Sequence, residues 1–138
     1  MLLDSATVES NFQRFIERVI ENEAVFYLSN EDGVANAVSN EDEKIVILMF
    51  WSDRAYATRA KQSFDEGFNE VKMELFDFLY PWLPGMSGDG VLAGPNWNGD
   101  LVGREIDPFE LRELIEGQMP SDLLEKYELK YSELANNT

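Results

Sequence analysis

The run "KIVILMF", residues 44–50, constrains the fold more than any other stretch of this sequence. After Lys44 every residue in it is apolar, which is typical of a strand that is covered on both faces. A strand with one wet face would alternate apolar and polar residues instead. We therefore expect this run to form a central strand of a sheet.

The segments before this strand predict one helix and two further strands. Apolar residues recur three and four positions apart near the start of the chain, which indicates a helix with one buried stripe. The stripe comprises Val8, Phe12, Phe15, Ile16, Val19 and Ile20. "AVFYLSN" (24–30) and "VANAV" (34–38) are predicted strands around a tight turn at Gly33. With the central strand they suggest an antiparallel meander.

The second half of the chain alternates helices and strands. Ser52 is predicted to cap a helix that ends near residue 64, and "NEVKMEL" (69–75) is a predicted strand with one wet face. Pro81 interrupts the next helical pattern, so we expect a short or kinked helix there. Asn98-Gly99 predicts a hairpin, and two further helices should begin at Asp107-Pro108 and at Ser121.

Together these patterns predict an α+β fold in a single domain spanning residues 1–138. The sheet should be mixed, mainly antiparallel and of about five or six strands, with helices packed against it. The C-terminal helix, about residues 118–135, should dock either on the core or on a neighbouring chain. The oligomeric state stays open, and a dimer through this helix is one arrangement to consider.

Composition excludes several kinds of chemistry. The chain has no cysteine and no histidine, which removes thiolate sites, the commonest zinc ligand and the usual general base. Its net charge of −16 disfavours nucleic acids and anionic membranes. No apolar stretch approaches the roughly 20 residues of a membrane span. With no secretory signal apparent, we expect a cytoplasmic protein without a cofactor, a metal site, a nucleic-acid partner or a membrane partner.

The stretch "FWSDRAYATRAK", residues 50–61, concentrates aromatic and basic side chains in this acidic protein. One interpretation is a recognition surface built on Trp51, Arg54 and Tyr56, with Asp53 capping the helix or orienting Arg54. The alternative is that Trp51 ends a buried strand and that the basic residues form a solvated helix face. Trp97 has the same two interpretations: it either converges with Trp51 on a groove or anchors the core.

Acidic residues dominate the rest of the chain. Between Arg18 and Lys44 there are seven acidic residues and no basic one. Such faces usually aid solubility, and the alternative is that they attract a basic partner. Five carboxylates near predicted turns are the candidates for a carboxylate-only enzyme: Asp53, Asp89, Asp100, Glu105 and Asp107.

Five segments, in this order, resemble the bacterial family known as domain of unknown function 2750: "EDGVANA", "FWSDRAYA", "MELFDFLYPWLPGM", "DGVLAGPNWNGDLVG" and "EIDPFEL". The resemblance covers about residues 12–115. It implies a small cytoplasmic α+β protein and supplies no activity. Pro81 departs from the family pattern. The elements W-x-D-R-x-Y-A and N-W fall on Trp51, Asp53, Arg54, Tyr56, Asn96 and Trp97.

We therefore expect a non-enzymatic protein-binding or regulatory module with a basic protein as partner. These same six residues are its candidate binding surface, and no catalytic residue is assigned. The alternative function is a small-ligand binder or a carboxylate-only enzyme.

Overall fold

The computed structural model describes residues 5–137 of the chain. Helices and strands alternate along it, as the sequence predicts. In order they are α1 (Ser5–Asn22), β1 (Ala24–Asn30), β2 (Gly33–Val34), β3 (Asn36–Val38), β4 (Val46–Phe50), α2 (Arg54–Lys61), β5 (Asn69–Glu74), α3 (Leu75–Asp77), a π-helical turn (Phe78–Trp82), α4 (Leu83–Gly88), β6 (Leu92–Pro95), α5 (Pro108–Gln118) and α6 (Ser121–Asn136).

The α+β class and the mainly antiparallel pairing are confirmed, but the strands form two sheets rather than one. The first sheet has the order β2-β1-β5 and is antiparallel throughout. The second has the order β3-β4-β6, in which β3 is antiparallel and β6 parallel to β4. The sheets meet where Phe26 and Trp51 exchange two backbone hydrogen bonds of 2.8 Å.

The predicted three-strand meander is divided between these sheets. "VANAV" breaks at the buried Ala35, so that β2 pairs with β1 while β3 pairs with β4. The N–H of Ala35 still donates to the carbonyl of Leu28. Because β2 has only two residues, the chain leaves the first sheet almost at once and enters the second.

The central strand β4 is covered on both faces, as the apolar run predicts. Ile47 and Met49 belong to a smaller hydrophobic cluster that includes Trp51, Trp97 and two alanines of α2, Ala57 and Ala60. Phe50 belongs to a larger cluster formed with α1, the helices after β5, α5 and α6, and Leu48 packs against that cluster. The strand therefore separates two apolar layers.

Two local predictions about breaks in the chain have different outcomes. The helical segment after β5 is irregular, as expected, because Pro81 lies inside the π-helical turn. The prediction of a hairpin at Asn98-Gly99 is wrong. β6 ends at Pro95, and the segment after it pairs with β6 only through the isolated bridge between Ala93 and Ile106. The positive φ angles fall on Asn96 and Leu101 instead, which leaves no type I′ turn at Asn98-Gly99.

The C-terminal helices begin where the sequence predicts. Asp107 caps α5 by accepting a hydrogen bond from the N–H of Glu110, and Pro108 lies in the first turn. α6 docks on its own chain through Tyr127, whose ring lies 5.6 Å from that of Phe76. Within residues 5–137 no helix is long and apolar enough to cross a membrane.

Candidate functional site

Three segments that are distant in sequence meet at one side of the smaller hydrophobic cluster. They are α1, α2 and the loop that follows β6. Trp51, at the end of β4, is fully buried, and its indole N–H donates to the carbonyl of Trp97 at 2.8 Å. Trp51 and Trp97 are therefore hydrogen-bonded neighbours, but the interpretation that both of them line a groove is wrong for Trp51. Trp51 contributes to the core beneath this region and not to an exposed surface.

Asn96 links the three segments through its side-chain amide. Its Oδ1 accepts from the backbone N–H of Ser52 at 2.9 Å, and its Nδ2 donates to Ser52 Oγ at 3.1 Å and to the carbonyl of Asn11 at 3.4 Å. The residue is buried and has a φ of 49°. Asparagine tolerates this left-handed conformation better than most residues. Asn96 can therefore adopt the positive φ and also make these hydrogen bonds with its side chain.

Trp97 is held in place by backbone on both sides. Its indole N–H donates to the carbonyl of Arg104 at 2.8 Å. A Cβ atom at Gly94 would lie 2.7 Å from Cε2 of Trp97, and a Cβ at Gly103 would lie closer still to the same ring. Both positions therefore require glycine, and the indole is fixed between them.

The structure corrects the roles expected for Ser52 and Asp53. Ser52 is buried and does not cap α2; its hydroxyl donates to Asp53 Oδ1 at 2.7 Å. Asp53 occupies the N-cap position but makes no side-chain capping bond. Its carboxylate instead accepts two hydrogen bonds from the guanidinium of Arg18 on α1. These bonds hold the pKa of Asp53 below its ordinary value and raise that of Arg18.

Asp53 therefore does not orient Arg54. The guanidinium of Arg54 lies over the ring of Phe26, 5.1 Å from its centroid. This is a cation–π contact on the solvent side of β1 and α2. Arg54 is exposed, but it does not line the concave region between α1, α2 and the loop after β6.

A concave groove lies above the buried network, and we call it the basic groove. Its volume is about 110 Å³, and its lining comes from α1, α2 and the loop after β6. Two of the predicted residues, Asn96 and Trp97, form its buried part, and Tyr56 forms part of its wall. The whole lining is Asn11, Arg14, Tyr56, Arg59, Asn96, Trp97, Asn98 and Gly99.

The two arginines of the groove differ from the four others in the chain. Within residues 5–137, the side chains of Arg14 and Arg59 make no ion pair, hydrogen bond or ring contact. Each remaining arginine either pairs with a carboxylate or stacks on a ring: Arg18, Arg54, Arg104 and Arg112. Two arginines that form no ion pair within the described chain thus line one concave place in an acidic protein.

Sequence reasoning missed Asn11, Arg14, Asn98 and Gly99, and it assigned Arg59 to a solvated face. A weak signal exists, because Asn11 and Arg14 are three residues apart on α1, and so are Tyr56 and Arg59 on α2. That spacing places each pair on one helix face. Nothing in either segment shows that the two faces meet.

Two more open depressions, each of about 290 Å³, are lined by acidic residues instead. In one of them Glu105 already accepts hydrogen bonds from the Ser39 hydroxyl and from the N–H of Asn40. The other is lined by Asn30, Glu31, Asp32, Glu66, Gly67 and Asn69. Across the described part of the chain, no group of three or more carboxylates is arranged to hold a metal ion.

Comparison with known families supports the resemblance seen in the sequence motifs. A family described as "Protein of unknown function (DUF2750)" matches residues 12–115, which is most of the chain. This protein belongs to that family. The match includes every residue that lines the basic groove except Asn11, and it ends before α6. No curated protein and no solved structure is significantly similar to the chain.

Proposed function

We propose that this protein is a non-enzymatic binding module and that the basic groove is its recognition surface. The observation that carries the proposal is the pair Arg14 and Arg59, which line one concavity and make no ion pair, hydrogen bond or ring contact inside the described chain. Arginine is enriched at recognition sites because its planar guanidinium offers five donors and carries its charge at every physiological pH.

The base of the groove supports this proposal because it is rigid. Trp97 is fixed between Gly94 and Gly103, and Asn96 is fixed by its bonds to Ser52 and Asn11. A site with its groups already in position loses less conformational entropy when a ligand binds. The wall contributed by Arg14 and Arg59 is exposed and can adjust to the ligand.

The chemistry of the lining favours binding over carboxylate catalysis. Amides, a phenol, an indole and two guanidinium groups line the groove. Three of the candidate catalytic carboxylates have structural bonds elsewhere: Asp53 to Arg18, Glu105 to Ser39 and Asp107 to the N–H of Glu110. A small-ligand binder therefore fits this site better than a carboxylate-only enzyme does.

The acidic surface supports a second contact, with a basic protein partner in the cytoplasm. Glu31, Asp32 and Glu66 line one depression, which has no basic residue in its lining. A basic partner attracted by these charges should bind less tightly as salt is raised. Titration with a lysine-rich peptide at low and high salt tests this, and neutralising the three carboxylates should abolish the salt dependence.

The groove is tested with a fragment library containing anionic, neutral and cationic members. The readout is the set of three tryptophan indole N–H signals in a proton–nitrogen NMR spectrum, since only Trp97 lines the groove. We expect hits to shift the Trp97 signal and to leave that of Trp82 unchanged.

The variant Gly99→Phe should remove these hits. A Cβ at Gly99 lies 3.7 Å from Cγ of Arg59, so the added ring would extend along the wall of the groove. Gly117→Phe is the matched control, because a Cβ at that position on α5 has open space around it. Hits that persist in Gly99→Phe, or that never shift Trp97, would contradict the proposal.

A further inference from the structure

The chemistry of the groove identifies the class of group that it would bind. Building on the function proposed above, we propose that the basic groove holds one oxyanion, a carboxylate or a phosphate, carried by a small ligand whose remaining part extends into solvent. Arg14 and Arg59 would bind its oxygens from two sides.

The balance of hydrogen-bond donors and acceptors in the lining favours an anion. Asn98 Oδ1 is already occupied, because it accepts from the N–H groups of Asp100 and Val102. Asn96 Oδ1 is occupied in the same way by Ser52. The polar side-chain groups that remain for a ligand are two guanidinium groups and the Asn98 NH₂, which only donate, together with the Asn11 amide and the Tyr56 hydroxyl, which can donate or accept. An ionised carboxylate or a phosphate offers acceptors and matches such a lining.

The charges around the groove favour an anion. The carboxylate of Asp53, three positions before Tyr56, is hydrogen-bonded to Arg18 and to the hydroxyl of Ser52. Arg14 helps to lower the pKa of Asp53 through space but makes no ion pair or hydrogen bond with it. The net charge of −16 opposes an anion at long range, but exposed charges farther than about 8 Å are largely screened at physiological salt. Local charges then decide what binds.

The size of the groove limits how much of a ligand it can hold. Sites that enclose a whole drug-sized ligand have volumes of about 300–1,000 Å³. The basic groove has about 110 Å³, which is room for one functional group and not for a whole ligand. Tyr56 stands at the wall and offers a ring and a hydroxyl to the part that remains outside.

The test uses four probes of nearly one shape: benzoate and phenylphosphonate as anions, benzamide as the neutral analogue and benzamidine as the cation. Each is titrated into the protein at constant ionic strength while the Trp97 indole signal is followed. We expect at least one anion to bind about tenfold or more tightly than benzamide, which corresponds to about 1.4 kcal/mol. The two anions distinguish a carboxylate ligand from a phosphate ligand.

Arg14→Gln and Arg59→Gln should each lower the affinity for the anion by about tenfold or more, because each removes a charge-assisted hydrogen-bonding group. Arg14→Lys and Arg59→Lys should recover part of the affinity, since lysine keeps the charge and loses the planar fork. Lys126→Gln, on α6, removes the same charge far from the groove lining and should bind like the wild type. An unchanged Trp82 signal verifies that each variant is folded.

Equal binding of benzamide and the anions would overturn the oxyanion inference, and so would wild-type affinity in both arginine-to-glutamine variants. If benzamide or benzamidine shifts Trp97 and neither anion does, the groove is a binding surface and only the oxyanion inference fails. If no probe and no fragment shifts the Trp97 signal, the oxyanion inference and the proposed function both fail.

Discussion

The groove side of the molecule and the C-terminal helix α6 are held in different ways. Around the groove, four residues are buried and hydrogen-bonded to one another or to neighbouring backbone: Trp51, Ser52, Asn96 and Trp97. Along α6 only Tyr127 is buried, while Leu129, Tyr131 and Leu134 are each more than half exposed. One region is fixed by a polar network, and the other is attached by packing, with Tyr127 on Phe76 and Tyr131 on Tyr80.

This difference indicates that side-chain positions are fixed more precisely around the groove than along α6. Buried polar groups are costly unless every one is bonded, so a satisfied network is retained where geometry matters. Stability is not uniform within a protein, and an element with few buried contacts opens more easily than the core does. The groove is therefore expected to keep its shape when α6 is perturbed, and the predictions below test that separation.

The largest effect is expected for Trp97→Ala. Removal of a buried indole from between Gly94 and Gly103 leaves a cavity at the base of the groove. We expect the free energy of unfolding to fall by about 3–5 kcal/mol, as measured by urea denaturation. Ligand binding at the groove should be lost as well. A loss below about 1 kcal/mol would show that the indole is not a structural anchor.

Asn96→Ala should have the next largest effect, about 2–4 kcal/mol, because it leaves the N–H of Ser52 unbonded and places alanine at a positive φ. Asn96→Gly separates these two causes, since glycine accepts the backbone conformation and cannot bond Ser52. The exposed Asn36→Ala is the control. If Asn96→Ala were as stable as this control, the hydrogen bonds of Asn96 would not contribute to the stability of the fold.

Tyr127→Ala should cost about 2–3 kcal/mol through lost burial and should act mainly on α6. The ring packs on Phe76, and the hydroxyl donates to Glu23 Oε1 at 3.0 Å. Hydrogen exchange should accelerate across α6, while the Trp97 indole signal and groove binding stay unchanged. The control Leu129→Ala, at a position 61% exposed, should be nearly neutral. A shifted Trp97 signal in Tyr127→Ala would show that the two regions are coupled.

The smallest effect is confined to acidic pH and concerns Glu70, which links β5 to α2. Hydrogen bonds from Lys61 and Thr58 lower the pKa of Glu70 to about 2 from its ordinary value of 4.5. A depressed folded-state pKa contributes stability above pH 4.5, and this contribution is lost as the pH falls toward 2.

Glu70→Gln should therefore destabilise the protein slightly at neutral pH and flatten its loss of stability between pH 4.5 and 2. Thermal melts across this range measure both effects. Glu113→Gln, at an exposed position on α5, is the control and should keep the wild-type slope. A variant slope identical to that of the wild type would exclude this ion pair as a source of acid sensitivity.

Local patterns predicted most of the elements and did not predict how they pair. Helical spacing identified α1, α5 and α6, and the apolar run identified β4, because these signals depend on neighbouring residues. The parallel pairing of β4 with β6 joins segments more than 40 residues apart, such as Ile47 and Leu92. Periodicity reports which face of a strand is buried and not which strand lies beside it.

The same limit explains what was predicted of the site. Tyr56, Asn96 and Trp97 were identified from motifs, and all three line the groove. Arg14 was missed because it lies in α1, 45 positions before Arg59, and only tertiary packing brings both to one concavity. The partner of Asp53 was missed for the same reason, since Arg18 also comes from α1.

A crystal structure of the wild-type protein with phenylphosphonate tests the central claim most directly. The account predicts phosphonate oxygens within hydrogen-bonding distance of the guanidinium groups of both Arg14 and Arg59. Asn96 and Trp97 should keep their bonds to Ser52 and to Arg104. Phosphonate bound elsewhere with the groove empty, or bound only after Trp97 has moved from between the two glycines, would contradict the account.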